Sequence, residues 1–145
     1  MNRSTFLPLL AASLLAAAPA QASMAARPRI TTYRDTGCGC CESWVGLARK
    51  AGYDVTLHDL DRDVRIKRFG LTAATAGCHT SLVAGYLVEG HVPMNVVARL
   101  VHERPRIRGI AFPGMPTGIA GMPGPRANGN EIYTLEAHPR IFARV

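Results

Sequence analysis

Between Arg29 and His58 the spacing of apolar residues changes from a strand period to a helix period and back, and no other stretch limits the fold as much. Arg29-Ile30-Thr31-Thr32-Tyr33 carries the β-branched and aromatic residues of a strand. From Glu42 to Ala51, Trp44, Leu47, Ala48 and Ala51 recur at helical spacing, and Gly52 supplies the stop. Tyr53-Asp54-Val55-Thr56-Leu57-His58 alternates as a second strand. Two strands separated by a helix pair in parallel, so this stretch predicts a βαβ unit.

The next residues extend it. Asp63 to Phe69 reads as a short helix ended by Gly70, and the irregular Leu71–Gly77 delivers the chain to Cys78-His79-Thr80. Ser81-Leu82-Val83 and Tyr86-Leu87-Val88-Glu89 flank Ala84-Gly85, a hairpin signal. Pro93 suits the first position of a third helix, with Val96, Val97, Leu100 and Val101 as its apolar stripe and Pro105 closing it. A βαβ unit followed by ββα predicts an α/β fold with a thioredoxin-like (glutaredoxin-like) core. Phe112 to Pro125 is a loop too dense in Gly and Pro for a helix or strand, and it contains Gly-Met-Pro twice, at Met115 and Met122. Glu131–Ala137 and Arg140–Val145 are expected to form a closing strand pair.

The first 22 residues have the form of a secretory signal peptide: Arg3, an apolar run from Phe6 to Ala18, and the small-x-small site Ala20-Gln21-Ala22. The run is shorter than the ~20 residues of a membrane helix. Cleavage before Ser23 would leave one domain over residues 23–145, exported to the periplasm of a diderm host, without stable membrane insertion. The formal charge of +7 is spread as Arg and Lys along the chain, with no interleaving of basic and aromatic residues. A solvated basic surface explains it, and no nucleic-acid partner is expected.

Thr36-Gly37-Cys38-Gly39-Cys40-Cys41 holds three of the four cysteines, between the first strand and the first helix. At a helix N-terminus, unpaired amides and the helix dipole favour a thiolate. Cys38 and Cys41 have the spacing of a reversible dithiol. Cys40 lies about a quarter-turn from Cys41, given roughly 100° per residue, and adjacent cysteines pair poorly. The third thiol is surplus to a redox couple and points to metal. In a glutaredoxin-like order the segment leading into the third strand, here Cys78-His79-Thr80, lies beside the dithiol loop. Three or four converging thiolates select Cu(I), and secondarily Zn(II), over hard ions. Thioethers of Met115 and Met122 would suit copper or silver.

Other readings stay open. Four cysteines in an exported protein can form two structural disulfides, in any of three connectivities. His79 is either a ligand or a core histidine, whereas His91 is expected to serve the start of the third helix. Trp44 is assigned to the core, and Asp35 and Glu42 to solvated charges.

Three blocks together, Tyr33–Val55 (YRDTGCGCCESWVGLARKAGYDV), Ala76–Pro93 (AGCHTSLVAGYLVEGHVP) and Glu103–Met122 (ERPRIRGIAFPGMPTGIAGM), resemble the CopG-type family of exported copper-resistance proteins. The resemblance covers nearly all of residues 23–145. It implies a thioredoxin-like fold binding copper and silver through Cys38, Cys40, Cys41 and Cys78, with a methionine role for Met115. Gly37, where the family often has threonine, and the PGPRANGN segment after Met122 depart from its pattern; the second puts a ligand role for Met122 in doubt.

The expectation is therefore a copper-binding protein of metal resistance. Cys38, Cys41 and Cys78 are its core ligands, Cys40 bridges to further ions, and His79 and Met115 are added donors. Other periplasmic copper-handling proteins are its expected partners. The rival is a thiol–disulfide oxidoreductase using Cys38 as nucleophile and Cys41 as resolving thiol. Cys78-His79 stands where such folds usually carry a cis-proline, which weighs against that reading.

Overall fold

A computed structural model of the chain describes residues 27–145; the expected signal peptide lies outside the described residues. Strand β1 (Ile30–Asp35) leads through a turn into helix α1 (Gly39–Lys50), which returns to β2 (Val55–Leu60). Helix α2 (Arg62–Arg68) connects to the hairpin β3 (His79–Val83) and β4 (Tyr86–Glu89), and α3 (Met94–Glu103) follows. Three short strands end the chain: β5 (Gly109–Ala111), β6 (Glu131–Thr134) and β7 (Ile141–Arg144).

All seven strands form one mixed sheet in the order β2-β1-β3-β4-β5-β6-β7. β1 and β2 pair in parallel from Ile30↔Val55 to Asp35↔Leu60, as the βαβ reading requires. β3 runs antiparallel to β1 and to β4, so His79 lies opposite Arg34 at the end of β1 that enters the cysteine loop. This pairing brings Cys78, distant in sequence, to the start of α1.

One expectation is corrected and one strand is added. The buried face of α1 is Cys41, Trp44, Val45 and Ala48, while Leu47 is 38% exposed. The helix begins at Gly39, so the inward stripe starts at Cys41 and recurs at three- and four-residue spacing from there. The expected closing strand pair forms, as β6 and β7 running antiparallel. β5, parallel to β4 and antiparallel to β6, joins it to the rest of the sheet. Its three residues follow the charged run Arg104–Arg108 and are too few to show a period. Gly109 is required there because a side chain would collide with the Leu87 backbone.

The principal core lies between the sheet and helices α1 and α3, around Trp44, Val45, Val88, Val97, Leu100 and Ile110. Trp44 is fully buried, and its indole N–H donates to the Val92 carbonyl at 2.8 Å. That bond ties α1 to the segment entering α3. No helix among the described residues is long and apolar enough to cross a membrane.

Candidate metal centre

Cys38 is the N-cap of α1, and Cys40 and Cys41 lie in its first turn, where the helix leaves amides without intrahelical partners. The turn Asp35–Cys38 is closed by the Cys38 N–H on the Asp35 carbonyl at 3.0 Å, with Gly37 in the left-handed region at φ 77°. This turn swings the chain from strand into helix within three residues and points the thiols at the start of β3.

The four sulfurs all lie within 4.8 Å of one another. Cys38 and Cys41 are at disulfide distance, and Cys40 and Cys78 are free thiols. The Cys78 sulfur is 3.3 Å from that of Cys41 and 3.7 Å from that of Cys40, which in turn is 3.2 Å from Cys38. A metal–thiolate bond of about 2.3 Å sets sulfurs around a tetrahedral ion roughly 3.8 Å apart. The Cys78 and Cys40 contacts are already near that spacing, and the Cys38–Cys41 pair must be reduced to reach it. Cys38 and Cys40 are partly exposed and Cys41 and Cys78 buried, so the group is open on one side and closed on the other.

On the closed side Cys78 meets two fully buried histidines. Its sulfur lies 3.2 Å from His91 Nε2 and 3.6 Å from His79 Nδ1, and one ligand atom from each of the three falls within 4.8 Å of the others. His91 Nδ1 is 2.9 Å from the Ala120 carbonyl, to which it must donate, leaving the Nε2 lone pair facing the sulfur. His79 Nε2 is buried without a hydrogen-bond partner. Such an atom costs about 1–3 kcal/mol unless something binds it. A set of soft thiolates backed by imidazole nitrogens fits Cu(I) or Zn(II) and not a hard cation.

The loop after β5 wraps this corner. The Gly114 N–H donates to the Ala76 carbonyl at 3.3 Å, placing Met115 in the chain next to the approach to Cys78. Ala120, whose carbonyl holds His91, has a φ of 27°, an uncommon value for a residue with a side chain.

Two solved structures, named as forms 1 and 2 of copper resistance protein CopG, resemble this fold. The first is 33% identical, with a TM-score of 0.74, over 82% of this chain and 98% of its own. The second is 32% identical, with a TM-score of 0.72 and the same coverage. The chain belongs to the CopG family. Residues 75–122, from the approach to Cys78 through the first Gly-Met-Pro turn to Met122, also match the family described as "Protein of unknown function, DUF411". No curated protein gives a significant match.

In this CopG-family chain the site residues read from the sequence divide by position. Cys38, Cys40, Cys41 and Cys78 converge, and His79 meets this group through Cys78. Met115 is 55% exposed, on the loop that borders them. His91 was expected to serve the start of α3 and instead faces Cys78. The histidine of Gly90-His91-Val92-Pro93 carries no local sign of this, because β3–β4 pairing and the Ala120 carbonyl aim its ring. Asp35, expected to be a solvated charge, is held by Arg62 and Arg65 with its side chain 20% exposed. Glu42 is exposed as expected and pairs with Arg34.

Burial decides the protonation of the closed side. It is the main cause that pushes the Cys78 thiol up to about 12, together with the nearby Cys40 and Asp35. Burial holds His79 well below its ordinary range, helped by His91 and the Arg65 guanidinium. It lowers His91 as well, against the Ala120 carbonyl, which favours the protonated ring. In the metal-free protein Cys78 is therefore a thiol between two neutral imidazoles. A soft cation would convert it to a thiolate and release a proton.

Proposed function

We propose that this homologue of a copper resistance protein is an exported, periplasmic protein that binds Cu(I), and also silver, through Cys38, Cys40, Cys41 and Cys78. The observation that carries the reading is the convergence of all four sulfurs within 4.8 Å at the N-terminus of α1. Cys41 and Cys78 supply the buried ligands, and Cys38 and Cys40 the ones an arriving ion meets first. With four sulfurs in mutual reach, one thiolate can bridge two ions, so the site accepts more than one copper. His91 Nε2 and His79 Nδ1 back Cys78 from inside. Met115 is the outer donor, exposed on a loop tethered beside Ala76. The expected partners are other copper-handling proteins of the same compartment. Residues 1–22, read as a signal peptide, support the location.

The test is an anaerobic Cu(I) titration of the reduced chain against a competing chelator, with bound metal and free thiols counted at the end. Tight uptake with protected thiols is expected, at more than one copper per chain. Absence of uptake, with thiols still exchanging freely with glutathione, would sink the reading.

One observation favours a second reading. Cys38 and Cys41 lie at disulfide distance at a helix N-terminus, the arrangement of a thiol–disulfide oxidoreductase. Cys78 separates the two readings, since copper binding needs its sulfur and dithiol exchange does not.

A further inference from the structure

Arg65 is fully buried, on a seven-residue helix that carries none of the thiols. A buried guanidinium costs stability unless it is paired and fully hydrogen-bonded. Here Nε donates to Asp35 Oδ1 at 2.9 Å, Nη1 to Glu89 Oε1 at 2.8 Å and to Thr80 Oγ1 at 2.7 Å, and Nη2 to the Gly77 carbonyl at 2.7 Å. Glu89 is also fully buried, and its Oε1 accepts the Gly77 N–H at 2.7 Å. Its other oxygen accepts the Thr80 hydroxyl.

Gly77, the residue before Cys78, is thus gripped by charge at both its backbone N–H and its carbonyl. Arg62 adds a bond to the Gly77 carbonyl at 3.1 Å, and the Asp35 N–H holds the Cys78 carbonyl at 3.0 Å. Gly77 fits only without a side chain, because a Cβ would lie 2.8 Å from the Gly90 Cα. Cys78 itself is the first residue before β3 and outside its ladder. An unconstrained chain end would let the sulfur drift by more than the few tenths of an ångström that a metal set tolerates.

We propose that Arg65 and Glu89 are positioning residues for the metal centre, fixing the Gly77–Cys78 backbone so that the Cys78 sulfur is in place before any ion arrives. This rests on the copper reading above and adds the device that preorganises its ligand from β3. Neither residue touches the ion; both act through the backbone of Gly77.

The test compares two variants with the native chain for Cu(I) affinity, thermal midpoint and thiolate-to-copper absorption. Arg65→Met/Glu89→Leu removes both charges at similar volume and leaves Asp35 paired with Arg62. Replacing a buried pair in this way is often neutral for stability. It releases the Gly77 N–H, so Cu(I) affinity should fall about ten- to a hundredfold, the usual effect of losing a group that orients a ligand. The absorption bands should shift with it. Glu89→Gln keeps an acceptor for the Gly77 N–H while removing the buried charge that faces Arg65, which leaves the guanidinium only Asp35 as an ion-pair partner; this variant should be less stable yet bind copper with native affinity and bands. Affinity that follows stability in both variants, or native affinity in the double variant, would overturn the proposal. Should the double variant not fold, amide exchange of Gly77 in the native chain decides. Slow exchange in both metal-free and copper-loaded protein supports preorganisation, and slow exchange only after copper overturns it. No copper uptake by the native chain would instead overturn the copper reading, a result distinct from native uptake with an unaffected double variant.

Discussion

His91 Nε2 lies 3.2 Å from the Cys78 sulfur while its Nδ1 is held by the Ala120 carbonyl. The two contacts fix both the tautomer and the aim of the ring. Replacing His91 by Gln removes the aimed lone pair and leaves a polar side chain. The expected result is a roughly tenfold weaker Cu(I) affinity, the low end for losing a supporting group at a metal site, and a loss of nitrogen scattering in X-ray absorption of the loaded protein. Unchanged affinity and an all-sulfur spectrum in the native protein would remove His91 from the site.

Cys78→Ser separates metal binding from dithiol exchange. The sulfur it deletes is within 3.7 Å of those of Cys40 and Cys41, and it is the one thiolate that α1 does not supply. Copper affinity should fall sharply and thiol protection decrease, while the rate at which Cys38 and Cys41 exchange with a small disulfide changes little. A variant that keeps its copper would return the protein to the oxidoreductase reading.

The strands, the helices and the hairpin were legible because their signals are local: alternation in β2, helical spacing in α3, and Ala84-Gly85 between two apolar runs. β5 was hidden because three residues carry no period. The inward face of α1 was misjudged because it counts from Cys41, a small apolar residue, and not from Trp44. The thiols announced themselves by crowding, and Cys78 followed from element order. His91, Arg65 and Glu89 could not be found the same way. A histidine beside a proline, an arginine in a basic helix and a glutamate ending a strand each have an ordinary surface role. Only the meeting of α2, β3 and β4 around Gly77 gives the two charges their task.

The Cys78 thiol makes a prediction about pH. In the metal-free protein with Cys38 and Cys41 oxidised, burial, with the nearby Cys40 and Asp35, raises it from 9.0 to about 12. Between these values the unfolded chain has lost this proton and the folded one keeps it, so stability falls as pH rises. The effect is absent below about pH 9 and complete near 12. Thermal midpoints measured across that range should therefore decline more steeply for the native chain than for Cys78→Ser, which lacks the titrating group. Parallel curves would mean that Cys78 is not held as a buried thiol.

The loop bearing Met115 and Ala120 is docked on α1 through Gly121, and this gives the last prediction. Gly121 has a φ of 90°, and a Cβ there would lie 2.8 Å from the Trp44 nitrogen and 3.0 Å from the Ser43 carbonyl carbon. Backbone strain and backbone collision act together, and neither can be relieved by turning a side chain. Gly121→Val must lift the loop off the helix. The left-handed conformation alone costs a β-branched residue about 1–3 kcal/mol, and the Ala120 carbonyl moves away from His91 with the loop. The variant should melt several degrees lower and show faster proteolysis between Phe112 and Arg126. Its His91 ring, freed from Ala120, should titrate at a different pH from the native ring by NMR. Gly129→Val is the control: it has a φ of 77° but meets nothing within 4 Å, so it shares the strain without the collision. Equal effects of the two substitutions on the His91 resonance would show that the contact of Gly121 with α1 does not hold the loop over the metal centre.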